Sequence, residues 1–189
     1  MIRIIAGKHK NRIIPTLKNS NYRPSTGKIR EAIFSILTSG EFIDCRLFTQ
    51  ESKVLDLFAG TGSLAFESCS RGAGAVTLVD INSDYLRVAK EFASKIGEMD
   101  NMTFLNINAT ALPKCKNSFD LIFIDPPYGH NLVPKTVNAL KKGQWLKEGT
   151  IIVVESAKNE DFTDNSLEVI KEKIYGDSKL LILKYINVL

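Results

Sequence analysis

The sequence predicts an α/β protein: a doubly wound, mostly parallel seven-stranded sheet with a small N-terminal β-hairpin/helix extension. Three observations lead there. From residue 53 onward, short β-rich runs alternate with helical segments, the pattern of strand–helix–strand units in a parallel sheet. The first of these runs empties into a glycine turn, "VLDLFAGTGS", and then into a helix. A later run, "FDLIFIDPPY", stops abruptly at Pro126 and Pro127. Two consecutive prolines remove two backbone donors and fix two φ angles, so no strand continues through them. At 189 residues and 44% hydrophobic, the chain can bury one sizeable core.

The elements follow in order. "IRIIAGKHKNRIIP", residues 2–15, places two β-rich runs around a Gly-Lys-His-Lys-Asn turn region, a short hairpin. Pro24 is followed by Ser25 and Thr26, both good N-caps. Ile29, Ile33, Ile36 and Leu37 then recur at helical spacing, so a helix is expected over about 26–39. The expected division is a basic extension over 1–24 and the main domain over 25–189. "KVLDLF" is the first strand of that domain and "LAFESCSRG" its helix. "AVTLVD" is the second strand, followed by "NSDYLRVAKEFASKIG", an amphipathic helix capped near Asn82 or Ser83. "MTFLNI" and "FDLIFID" are the third and fourth strands, residues 131–142 a helix, and "GTIIVVES" the fifth strand. "SLEVIKEKIY" and "KLLILKYINV" flank Tyr175-Gly176-Asp177-Ser178, a turn that makes them a closing hairpin. There is no internal repeat or low-complexity linker.

Charge is unevenly spread. Residues 1–30 carry Arg3, Lys8, Lys10, Arg12, Lys18, Arg23, Lys28 and Arg30 and no acid, whereas the rest of the chain is mildly acidic. A basic arm on an acidic body suits a polyanion, because basic side chains release counterions from phosphates. No apolar run reaches the ~20 residues of a membrane span, and the basic N-terminus lacks the apolar core of a signal peptide. Cys45, Cys69 and Cys115 are far apart and odd in number. They make neither a metal-ligand nor a disulfide pattern, which suits a reducing cytoplasm.

Gly60 and Gly62 let the backbone pass close to a ligand, and the helix behind them offers free N–H groups. Asp80 ends the second strand, where a carboxylate can accept both hydroxyls of a ribose. Gly60-x-Gly62-x-x-Ala65 also satisfies the dinucleotide fingerprint, so a nicotinamide-dependent oxidoreductase is a competing reading. Asp56 favours a different ligand. It lies in an otherwise apolar strand, where ionising it needs donors from the loop or from an ammonium group. S-adenosylmethionine carries an ammonium, a ribose and an adenine, but no pyrophosphate. Gly27-Lys28 is no phosphate loop, because Tyr22 and Ile29 occupy the positions that would need Gly and Ser/Thr.

In a doubly wound sheet, ligands sit outside the carboxyl ends of the strands. Asp125 ends the fourth strand there, with Pro126 and Pro127 stiffening the corner. A carboxylate and a backbone carbonyl in fixed positions can hold the two N–H bonds of an exocyclic amino group. Tyr128 offers a flat face for stacking a base.

"VLDLFAGTGSLAFES" together with "DPPY" resembles the class I S-adenosylmethionine-dependent amino-methyltransferases, of Rossmann-like fold. From "RIIAGKHKNRII" through "RPSTGKIREAIFSIL", "SRGA" and "FDLIFIDPPYG" to "ESAK", the chain resembles the bacterial 16S rRNA guanine-N2 methyltransferases of the RsmD type. The resemblance spans nearly all of the chain. "DPPY" alone is shared with adenine-N6 enzymes; the opening segment followed by the glycine loop is more selective. The resemblance implies methylation of N2 of guanine 966, with adenine-N6 methylation of DNA or another RNA as the alternative. It makes Asp125, Pro126, Pro127 and Tyr128 the catalytic motif. It puts Asp56, Phe58, Ala59, Gly60, Gly62, Asp80, Ile81, Asn108 and Ala109, with Thr26, at the cofactor. Where many class I enzymes place an acid facing the adenine amine, this chain offers Asn108-Ala109. Where the family has Arg-Pro-Thr, it has Arg23-Pro24-Ser25 followed by Thr26. Arg3, Lys8, Lys10, Arg12 and Arg23 are the RNA-binding candidates. The expected partner is 16S rRNA, free or in a small-subunit assembly particle, with a monomeric cytoplasmic enzyme and no metal. His9 and His130 are expected as surface residues rather than general bases.

Overall fold

The computed structural model describes residues 2–17, 27–40 and 45–186. The N-terminal hairpin pairs β1 (Ile2–Arg3) with β2 (Ile13–Ile14), antiparallel, Ile2 opposite Ile14. Ile2, Ile4 and Ile14 are buried in the same core cluster as α1 (Gly27–Thr38), whose Ile29, Ile33, Phe34 and Leu37 face inward. The expected helix is therefore present, while Thr26 and Arg23 lie outside the described residues.

The main sheet contains β3 (Lys53–Leu57), β4 (Ala75–Val79), β5 (Met102–Leu105), β6 (Leu121–Ile124), β7 (Ile151–Ala157), β8 (Leu167–Tyr175) and β9 (Ser178–Tyr185). Its order is β5-β4-β3-β6-β7-β9-β8. The first five strands are parallel, and β9 runs antiparallel between β7 and β8. The sequence shows the closing hairpin but not this order, in which the last strand is inserted inside its predecessor. The burial pattern explains it. β9 carries the buried run Leu180–Leu183, which needs cover on both faces, while β8 alternates exposed and half-buried residues and suits an edge.

Three further helices connect the strands: α2 (Ser63–Arg71), α3 (Ser83–Ile96) and α4 (Leu132–Lys142). Asn82 caps α3 by accepting from the N–H groups of Asp84 and Tyr85. Alternation along the strands divides the core in two. Val54, Leu121, Phe123, Ile151 and Val153 pack with α1, α2 and α3 on one face. Leu55, Leu57, Ile122, Ile124, Ile152 and Val154 pack with α4 and Trp145 on the other. Among the described residues no helix is long and apolar enough to cross a membrane.

Candidate active site at the carboxyl edge of the sheet

The strands β3, β4 and β6 release three acids at one edge. Asp56 lies one residue before the end of β3, on the face it shares with Val54; Asp80 and Asp125 are the first residues past β4 and β6. Asp56 is 2% exposed and accepts from the Ala65 N–H, in the first turn of α2, at 3.0 Å. Burial pushes its carboxyl well above the usual range. The Ala65 bond opposes the rise, and the charges of Asp125 and Asp80 add to it. Asp56 thus feels both other carboxylates across the strand ends.

Between β3 and α2 the backbone turns through left-handed conformations at Phe58, Gly60 and Gly62. At Gly62 (φ 85°) a Cβ would lie 2.7 Å from Leu78 Cδ2, so glycine is required for both conformation and space. Ala59 donates to Val79 O, and Gly60 donates to Asp80 Oδ2 at 2.7 Å. The other oxygen of Asp80 accepts from Asn82 N–H at 2.8 Å. Asp80 therefore binds the glycine loop to the head of α3, beyond the expected role toward a ribose. Next to it Ile81 is 73% exposed, an apolar side chain left open to solvent. Asn108 Oδ1 accepts from both the N–H and the hydroxyl of Thr110, so its side chain shapes its own turn, with Ala109 buried behind it.

At the end of β6, Asp125 is half-buried, Pro126 buried and Pro127 exposed. Tyr128 is 42% exposed and tied through its hydroxyl, 2.9 Å from Glu155 Oε1 and 2.7 Å from Ser178 Oγ. Burial, with the negative charge of Glu155, raises the phenol above its ordinary pKa, so it stays a donor. Gly129 N–H donates to Glu160 Oε1 at 2.7 Å. A cavity of about 520 Å³ opens beside this corner, lined by Tyr128, Gly129, Asn131, Ala157, Asn159, Glu160 and Asp161. The sequence reading does not single out Glu155. An acid closing the otherwise apolar run "TIIVVES" is the signal that marks it.

The basic hairpin is docked by acids. Glu67 on α2 is fully buried and accepts from Ile5 N–H, Ala6 N–H and Arg71 Nε. Ser70 accepts from His9 N–H and donates to Ala6 O, and its carbonyl accepts from Lys8 N–H. Glu98, 4% exposed, holds Lys8 Nζ at 2.8 Å and His9 Nε2 at 2.6 Å. Burial alone would raise Glu98, but bonds from Lys8, Asn101, His9 and Cys69 prevail and hold it at about 2. The expectation of a surface His9 is corrected: its side chain is 11% exposed, because Glu98 draws it in. Lys8 is likewise engaged, while Arg3, Lys10 and Arg12 are exposed around the turn.

A family model described as "Conserved hypothetical protein 95" matches residues 2–184. The ribosomal RNA small subunit methyltransferase D of Haemophilus influenzae is 31% identical, covering 93% of this chain and 89% of that protein. The chain belongs to the ribosomal RNA small subunit methyltransferase D family. An uncharacterized methylase of Rickettsia prowazekii is 46% identical, covering 98% of each chain. The Escherichia coli structure designated methyltransferase yhhF superposes with a TM-score of 0.84 at 26% identity, covering 99% of each chain. The fold extends to an RNA methyltransferase of Salinibacter ruber solved with S-adenosyl-L-homocysteine, at 12% identity and a TM-score of 0.64 over 88% of this chain and 96% of that one.

For a methyltransferase of this family the donor set fits a cationic, ribose-bearing ligand. Asp80 bonds the glycine loop, Asp56 bonds the first turn of the helix behind it, and Asp125 lies within electrostatic reach of Asp56. Within the loop, the buried Thr61 hydroxyl has no hydrogen-bond partner among the described residues.

Proposed function

We propose that this chain methylates the exocyclic N2 amino group of a guanine in 16S rRNA, at position 966. It is an S-adenosylmethionine-dependent rRNA methyltransferase of the family named above. The observation that carries the amino-group chemistry is the rigid Asp125–Tyr128 corner, set beside the cofactor acids and within electrostatic reach of Asp56; the choice of guanine rests on the resemblance of the opening segment followed by the glycine loop.

S-adenosylmethionine supplies an electrophilic methyl group on a sulfonium. The chain binds and aligns. Asp56, Asp80 and the backbone from Phe58 to Gly62 would hold the cofactor, with Ile81, Asn108 and Ala109 as candidates toward its adenine and Thr26 as a further candidate contact. Asp125 accepts from the target amino group, whose lone pair is otherwise spread into the base ring. The stiff proline pair keeps that acceptor from reorganising during the reaction. The Tyr128 face stacks the base, and Arg3, Lys10, Arg12 and Arg23 contact phosphates, with Lys8 beside them. The oxidoreductase reading leaves the Asp125–Tyr128 corner and the basic hairpin unexplained. The enzyme works as a cytoplasmic monomer on rRNA or an assembling particle.

The test is mass spectrometry of nucleosides from 16S rRNA of cells with and without the gene. N2-methylguanosine should fall by one residue per molecule. Loss of N6-methyladenosine instead, or no loss at all, would overturn the reading.

A further inference from the structure

Glu155 continues the row of acids. Alternation along β7 puts it on the face of Ile151 and Val153, the same face on which Val54 and Asp56 lie in β3 and Leu121 and Phe123 in β6. Ile124 pairs with Val154, so Asp125 and Glu155 follow one another out of neighbouring parallel strands. Glu155 is 5% exposed. Its Oε1 accepts from Tyr128, but Oε2 is buried with no hydrogen-bond partner among the described residues. A buried carboxylate oxygen without a donor is costly, and such groups are kept where a donor arrives during function. Tyr128 is nearly half exposed and holds the other oxygen of the same carboxylate, so Glu155 stands against the residue assigned to stack the base.

The geometry points to Glu155 as a specificity-determining residue whose Oε2 accepts the N1–H of the target guanine while Asp125 accepts from its 2-amino group. This rests on the guanine-N2 reading above. Guanine presents N1–H and N2–H₂ as adjacent donors, a pair that two adjacent carboxylates match. Adenine offers an acceptor at N1 beside its amino group and would leave Glu155 facing a lone pair. A site built to hydrogen-bond a substrate N–H rejects the analogue lacking it far more strongly than shape alone can.

The experiment uses small-subunit particles reconstituted with ligated 16S rRNA carrying either guanine or 2-aminopurine at the methylated position. 2-Aminopurine keeps the 2-amino group and lacks N1–H. The full-length wild type should prefer guanine in kcat/KM by at least about tenfold. Glu155→Ala should bring that ratio to near unity. Glu155→Gln keeps the shape and an acceptor for Tyr128, and its amide N–H can donate to N1 of 2-aminopurine, so the preference should reverse. Tyr128→Phe should keep the ratio while lowering both rates. Melting temperature and S-adenosylhomocysteine affinity, measured on each variant, identify folded protein, and Glu155→Gln supplies the comparison if the alanine variant does not fold. Equal losses on both bases would make Glu155 a mere support for Tyr128 and overturn the proposal, as would a wild type that does not discriminate. A wild type that methylates neither base would overturn the guanine-N2 reading itself, and is visible before any variant is made.

Discussion

Asp56 sits where a charge is costly. Its folded pKa lies above its unfolded one, through burial first and then the charges of Asp125 and Asp80. The folded protein therefore holds an extra proton above about pH 4. The stability linked to that proton is full below the unfolded pKa and falls as pH rises toward the folded value. Asp56→Asn stays neutral and keeps an acceptor for Ala65, so urea unfolding from about pH 4 upward should show a flatter stability curve than the wild type. A cationic cofactor restores the charge, so binding should release a proton and tighten with pH. Calorimetric heats that do not change with the buffer's ionisation enthalpy would refute this. At Asp125 the expectation is chemical. Asp125→Ala should cut single-turnover methyl transfer by at least about 10²-fold, with cofactor affinity within about threefold, and unchanged turnover would reduce the corner to architecture. These two acids are legible in the sequence because each interrupts a strand at the position where such sheets bind ligands. Glu67, Glu98 and Glu155 are not. Their partners, the hairpin backbone, Lys8 and His9, and Tyr128, come from distant stretches, and helical or β periodicity carries no trace of those pairings.

The hairpin of β1 and β2 shows the same division between local and distant signals. Its β-rich runs and turn residues make it readable, but not its docking on α2 and Glu98. Gly7 has φ 83°, and a Cβ there would come within 1.8 Å of Ser70 O. Gly7→Ala should thus detach the turn, speed proteolysis within residues 8–12 and weaken RNA binding, leaving cofactor affinity intact. Neutralising Lys10 and Arg12 together should lower the salt slope of RNA binding by about 2 units. Lys8 should contribute less, because Glu98 already holds it. An unchanged slope would move the RNA surface elsewhere. Glu98 gives the docking an acid limit. Held at about 2, below its unfolded value, it contributes stability that is present above about pH 4.3 and lost as pH falls toward 2. Glu98→Gln should remove that acid-sensitive step, at a cost of about 1–3 kcal/mol at neutral pH.

Across the whole molecule, binding should read out as stability. S-adenosylhomocysteine at about a hundred times its dissociation constant should add about 2.7 kcal/mol, a rise of about 5–10 °C in melting temperature for a chain of this size. NAD should add nothing, and equal shifts with both would reopen the oxidoreductase reading. The alternation of strands and helices made the parallel sheet predictable, because each unit announces itself locally. The place of β9 inside β8 was not, since a hairpin reads the same in either order and only the demand for cover on both faces decides. One helix joins the two proposed binding regions. The glycine loop opens α2, and Glu67 at its middle and Ser70 near its other end carry the basic hairpin. Nine residues at 1.5 Å each make a strut of about 13 Å. On the proposed placement of RNA and cofactor, the strut would act as a caliper: it would fix the span between the grip on the RNA backbone and the methyl donor, so which nucleotide is reached would be a matter of measured length as well as of base chemistry.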